Sequence, residues 1–87
     1  MSDTFTVHIY TPEAPAAQME ATYLAVHGVD GGYGLMRGHL PCVIGLAPGE
    51  LTVTTPRARS VFLCGDGFLE MRDNVANVFV SSCKEVK

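Results

Sequence analysis

Charge is scarce in this 87-residue chain. Charged residues make up 17%, against about 25% in an ordinary domain, while hydrophobic residues reach 47%. That balance excludes a disordered tail, which would be charge-rich and poor in apolar groups. Positive charge is scarcer still, with six Lys and Arg against nine Asp and Glu. Only Arg57 and Arg59 lie close together, and two charges neutralise too few phosphates to hold a nucleic acid. No apolar run approaches the ~20 residues of a membrane-spanning helix. The opening MSDTFTV has neither the basic nor the apolar region of a signal peptide, which predicts a cytosolic start. Cysteines number three, with no C-x-x-C spacing. This suits reduced thiols better than a disulfide framework.

Glycine is missing from both ends: all nine lie between Gly28 and Gly67. Gly and Pro cut the chain into short pieces, and short pieces favour strands. Thr4–Tyr10 alternates Phe5, Val7 and Ile9 with Thr6, His8 and Tyr10, the period of a half-buried strand. Pro12 and Pro15 end it. Ala16–Val26 is ambiguous, because Ala16, Met19 and Tyr23 would share a helix face, but Tyr23–Val26 reads better as a strand running into Gly28. Further strands are predicted at Tyr33–Met36, Cys42–Leu46, Glu50–Thr55, Ser60–Cys64, Phe68–Arg72 and Val75–Ser82. Turns fall at Gly38–Pro41, Pro48-Gly49, Pro56–Arg59 and Asp73-Asn74. Gly65-Asp66-Gly67 predicts a bulge or sharp bend, and the tail from Cys83 is expected to fray. Seven to ten short strands without a long helix predict one all-β domain over residues 1–87, a sandwich or barrel. There is no internal repeat.

Groups able to do chemistry are few. His39 and Cys42 stand three apart, a spacing that places two metal ligands in one turn, but a zinc site needs two more. A small ligand- or metal-binding β-sandwich using His27, His39 and Cys42 is the rival reading. Cys64 sits among Val61, Phe62 and Leu63, where a thiol is inert. Gly28–Gly38 (GVDGGYGLMRG) lacks the G-K-[ST] and the following helix of a phosphate loop. Its glycines serve turns, and the interspersed Tyr33, Leu35, Met36 and His39 suit a docking surface.

In order, these motifs resemble the N-terminal β-sandwich domain of the epsilon subunit of bacterial F-type ATP synthases, the delta subunit of mitochondria. The resemblance runs from about Phe5 to Ser82. It rests on Pro12-Glu13 after the first strand, G-x-x-G-x-x-G-[IL] at Gly28, Gly31, Gly34 and Leu35, and G-H-x-P at Gly38, His39 and Pro41. It continues with L-x-P-G at Leu46, Pro48 and Gly49, Gly65–Met71 as a G-G-[FI]-[LV]-E-[VM] strand, and a looser close at Asn77–Val80. Two positions depart from the usual pattern: Gly32 stands where an acidic residue is common, with Asp30 nearby, and Arg37 replaces a proline. The resemblance implies a flattened all-β sandwich of about ten strands in two sheets. It implies a non-catalytic rotor subunit without cofactor or metal, docking the gamma subunit onto the polar loops of the membrane c-ring. That places it peripherally on the cytoplasmic face of the inner membrane. Asp30, Gly31, Gly32, Tyr33, Arg37 and His39 become the candidate partner-binding residues. Family members usually continue into a C-terminal helical hairpin and this chain stops at Lys87, which predicts a form that couples gamma to the ring without inhibiting ATP hydrolysis through the hairpin.

Overall fold

A computed structural model describes residues 3–14 and 17–87. Ten strands run in chain order: β1 (Phe5–Tyr10), β2 (Ala17–Ala21), β3 (Tyr23–Gly28), β4 (Gly31–Leu35), β5 (Cys42–Leu46), β6 (Gly49–Thr54), β7 (Arg59–Cys64), β8 (Gly67–Arg72), β9 (Val75–Val80) and β10 (Cys83–Glu85). Alternation decides the faces. Phe5, Val7 and Ile9 of β1, Leu51 and Val53 of β6, Leu69 and Met71 of β8, and Ala76, Val78 and Val80 of β9 are all buried, and their neighbours in sequence face out. That is what a period of two produces when one side of a sheet covers a core.

Hydrogen bonding runs continuously through one sheet in the order β10-β7-β6-β3-β5-β8-β9-β1-β2, with β4 beside β3. The sheet curls, so that a half made of β4, β3, β6, β7 and β10 and a half made of β5, β8, β9, β1 and β2 enclose one apolar core. The strand ladder passes from one half to the other at the Gly28↔Leu46 pair, flanked by Val29 N–H donating to the Gly45 carbonyl (2.9 Å) and Ala47 N–H to that of His27 (3.0 Å). The expected two-sheet sandwich is thus one sheet folded over at β3 and β5. Its extents are 34 × 25 × 20 Å, and the short axis is about two sheets' thickness. Every pairing is antiparallel except β1 with β9, which is parallel from Thr6↔Val75 to Tyr10↔Phe79.

Sharp corners carry the chain between halves. At Thr22 the backbone N–H (2.7 Å) and Oγ1 (3.2 Å) both donate to the Thr54 carbonyl. At Gly65-Asp66 the Gly65 N–H donates to the Ser82 carbonyl (3.0 Å) and Ser81 N–H to that of Asp66 (2.9 Å). The glycine pair flanking Asp66 therefore marks a change of sheet half, the sharp bend of the two expected alternatives. Asp73 and Asn74 both have positive φ, 52° and 61°, as a two-residue hairpin of the primed type requires.

One ambiguity of the sequence resolves and two expectations need correction. Residues 17–21 form a strand and no helix: β2 pairs with β1 from Phe5↔Ala21 to Ile9↔Ala17, covering an edge that would otherwise expose backbone donors and acceptors. Pro15 and Ala16, part of the helix alternative and of the expected break, lie outside the described residues. The segment after Ser82 does not fray. It forms β10, held to β7 through Cys83↔Cys64, Lys84↔Leu63 and Glu85↔Phe62. The fourth strand spans Gly31–Leu35 where Tyr33–Met36 was expected, because its glycines pair with β3.

Candidate partner interface

No polar or charged side chain is buried among the described residues, so polar recognition of a partner falls to surface groups. The β3–β4 hairpin shows what its glycines do. Val29 and Asp30 form the tip, closed by Gly28↔Gly31. The Tyr33 ring lies across Gly28, where a methyl group would meet its Cε2 at 2.6 Å. From there the Tyr33 hydroxyl donates to both Asp30 carboxylate oxygens, at 2.8 and 2.9 Å. On the other face the Tyr23 ring covers Gly34, and a methyl there would collide with its hydroxyl. The G-x-x-G-x-x-G spacing thus lets two tyrosines lie flat on opposite faces of one hairpin. Tyr23, His27, Gly32, Gly34, Glu50 and Thr52 line a shallow groove of about 370 Å³ on the outer face.

Hydrogen bonding to the Asp30 carboxylate raises the Tyr33 pKa above its ordinary 10.0, with lesser help from desolvation and the carboxylate's charge. The bond needs the phenol protonated. Its contribution is therefore complete below pH 10 and disappears as pH rises through the raised folded value. An ultraviolet phenolate titration should show a step above pH 10 from Tyr33, and Asp30→Ala should lower that step. Unchanged titration in Asp30→Ala would refute the assignment.

Arg37, Gly38 and His39 occupy the β4–β5 turn, separated from the hairpin tip by the length of β4, about 13 Å at ~3.3 Å per residue. There they bind the rest of the fold. Arg37 Nη1 donates to the Thr4 carbonyl (3.1 Å), and Gly38 N–H donates to Asn74 Oδ1 (2.7 Å). Gly38 holds φ +84°, which a side chain rarely adopts. His39 turns back on its own turn, with its N–H on the Met36 carbonyl (3.1 Å) and Nδ1 2.8 Å from the Leu40 carbonyl, where Nδ1 is the donor. Cys42 Sγ is 3.9 Å from that nitrogen. The structure therefore gathers Asp30, Gly31, Gly32 and Tyr33 at one site and Arg37 and His39 at another, beside the exposed Met36 and Leu40. It does not gather His27, His39 and Cys42: among the described residues no group of three His, Cys, Asp or Glu side chains is placed to hold a metal ion.

Sequence reasoning missed an aromatic column. Tyr10 stacks on Phe79 (centroids 4.9 Å apart, 12° between planes) and Phe79 on Phe68 (5.0 Å, 26°). The Tyr10 hydroxyl lies 2.8 Å from His8 Nδ1 and donates to Asn77 Oδ1 at 3.4 Å. Phe68 and Phe79 both face outward on their strands. What brings them together with Tyr10 is the parallel β1–β9 pairing, which leaves no local trace in the sequence.

A family model described as "ATP synthase, Delta/Epsilon chain, beta-sandwich domain" matches residues 4–86. The chain belongs to this family. The ATP synthase epsilon chain of Desulforudis audaxviator (strain MP104C) is 35% identical over 78 residues, covering 90% of this chain and 57% of its own length. That of Lacticaseibacillus casei (strain BL23) is 34% identical, covering 95% and 60%. The chain thus spans little more than half of these curated delta/epsilon relatives. The same fold occurs in a chain of the Euglena gracilis mitochondrial ATP synthase OSCP/F1/c-ring assembly (TM-score 0.88, 18% identity, 98% of this chain and 55% of that one). It recurs in the central stalk/c-ring of the Tetrahymena thermophila enzyme (TM-score 0.77, 16% identity, 91% and 64%). Among the described residues no helix is long and apolar enough to cross a membrane.

Proposed function

We propose that this chain is a central-stalk subunit of a rotary F-type ATP synthase, docking the gamma subunit onto the c-ring and helping couple ion translocation to ATP synthesis or hydrolysis. The observation that carries the reading is the delta/epsilon family match over residues 4–86. In this role the whole of residues 1–87 works as one β-sandwich clamp with no catalytic residue of its own. It is bound peripherally at the cytoplasmic face of the inner membrane through the complex. A part that transmits torque must not deform, and a close-packed apolar core with sheet on both sides is stiff.

The hairpin tip, with Asp30, Gly31, Gly32 and Tyr33, supplies the polar contact to the ring loops. The β4–β5 turn, with Arg37 and His39, supplies a second contact whose shape is set by its bonds to Thr4 and Asn74. Calorimetric titration of the chain into the gamma subunit, alone and assembled with a c-ring, tests the reading. Binding in the micromolar range is expected. Absence of binding to both at tens of micromolar would overturn it. Asp30→Lys should weaken binding to the ring assembly about tenfold, roughly 1.4 kcal/mol, while leaving the fold intact because Asp30 is exposed.

A further inference from the structure

We propose that Cys64 and Cys83 form a thiol–disulfide exchange site, in which a low-molecular-weight disulfide of the glutathione class drives closure of a cross-strand bridge between β7 and β10. The two residues face each other in the ladder, and their sulfurs are 3.5 Å apart. Ladder hydrogen bonds from Gly65 N–H to the Ser82 carbonyl (3.0 Å) and from Val86 N–H to that of Val61 (2.8 Å) fix the register. Between them the Cys64–Cys83 pair falls on a non-hydrogen-bonded position. Opposed Cα atoms there are about 4.5 Å apart, inside the ~4.4–6.8 Å span of a disulfide. Small side-chain rotations close the gap without moving the strands.

The pair is also reachable. Cys64 is buried, whereas Cys83 is half exposed and both line a groove of about 550 Å³ with Pro48, Leu63 and Lys84. Burial, aided by the neighbouring Cys83, pushes the Cys64 thiol up to about 12, so it holds its proton at neutral pH. Cys83 is the member that opens the exchange. Its thiolate attacks one sulfur of the small disulfide, forming a mixed disulfide and expelling one thiolate, which takes up the proton Cys83 lost. Cys64 then attacks the Cys83 sulfur, the second small thiolate leaves, and the Cys64 proton goes to it. Two protein thiols are oxidised and one small disulfide is reduced to two thiols. The bridge ties β10, a three-residue edge strand, to the body of the sheet.

The test is to incubate the purified chain with oxidised glutathione, denature it, alkylate free thiols with N-ethylmaleimide and map the products by mass spectrometry. The expected product has lost the mass of two hydrogens, carries Cys64 and Cys83 on linked peptides and has Cys42 alone alkylated, and dithiothreitol reverses it. Cys42→Ala should oxidise in the same way, and amides of Cys83–Glu85 should exchange more slowly with solvent in the oxidised form. Three alkylated thiols, a stable glutathione adduct on Cys83 or a bridge to Cys42 would each overturn the proposal.

Discussion

Phe5→Ala should remove most of the stability of this domain. Phe5 is 1% exposed and is among the largest fully enclosed side chains of the described core. Truncating a buried Phe costs about 3–5 kcal/mol through lost transfer energy and the cavity left behind. A domain of this size has only roughly 5–10 kcal/mol in total. The melting temperature should fall by well over ~10 °C, at about 4–8 °C per kcal/mol. Urea unfolding monitored by circular dichroism gives the measurement: the midpoint should drop with little change in slope. A loss under ~1 kcal/mol would mean that Phe5 is not enclosed in the core as described. The site matters because Phe5 begins β1, which pairs with β2 on one side and β9 on the other.

Gly67→Ala should be nearly as damaging, although it adds one methyl group. That methyl would sit on the Phe79 carbonyl oxygen, with the Phe79 carbonyl carbon and Val80 Cα each 2.8 Å away. All three atoms are backbone, and none can rotate aside without breaking the β8–β9 ladder at Gly67↔Val80. Overpacking of this kind costs about 1–3 kcal/mol and sometimes more; about 2–3 kcal/mol is expected. Gly34→Ala is the control. The three atoms nearest to its methyl all belong to the Tyr23 side chain, which is 41% exposed and able to swing out, so the change should stay within about 0.5 kcal/mol of neutral. Chemical denaturation of both variants measures the contrast. Equal costs would show that side-chain and backbone obstruction are not distinguished here.

Where alternation was clean, the strands were legible: β1, β6, β8 and β9 lie within two residues of their predicted bounds, and Phe5, Val7 and Ile9 of β1 turn inward together. The reason is physical, since one buried face forces period two. What could not be read is which strands pair. Nothing local in AQMEA announces a strand, because β2 exists to cover the β1 edge. CKE looks like a polar tail, because its partners on β7 supply the reason for it to be extended. The candidate site divides in the same way. Asp30 and Tyr33 are three apart, and their contact is a local matter of turn chemistry. Arg37 and Gly38 reach Thr4 and Asn74, more than thirty residues away, and sequence spacing carries no sign of that. The odd cysteine count argued for reduced thiols, and no spacing rule announces a pair that only the β7–β10 register opposes.

The parallel pairing of β1 with β9 has a kinetic side. Tyr10 and Asn77, bonded across it, are 67 residues apart in sequence. Among the ten described strands β1 comes first in the chain and its partner β9 comes ninth. Until β9 has formed, one long edge of the β1–β2 pair stands open. Closing so long a loop is entropically slow. The sandwich therefore completes as a late, concerted event, and the interval before it is when the chain is most exposed to aggregation.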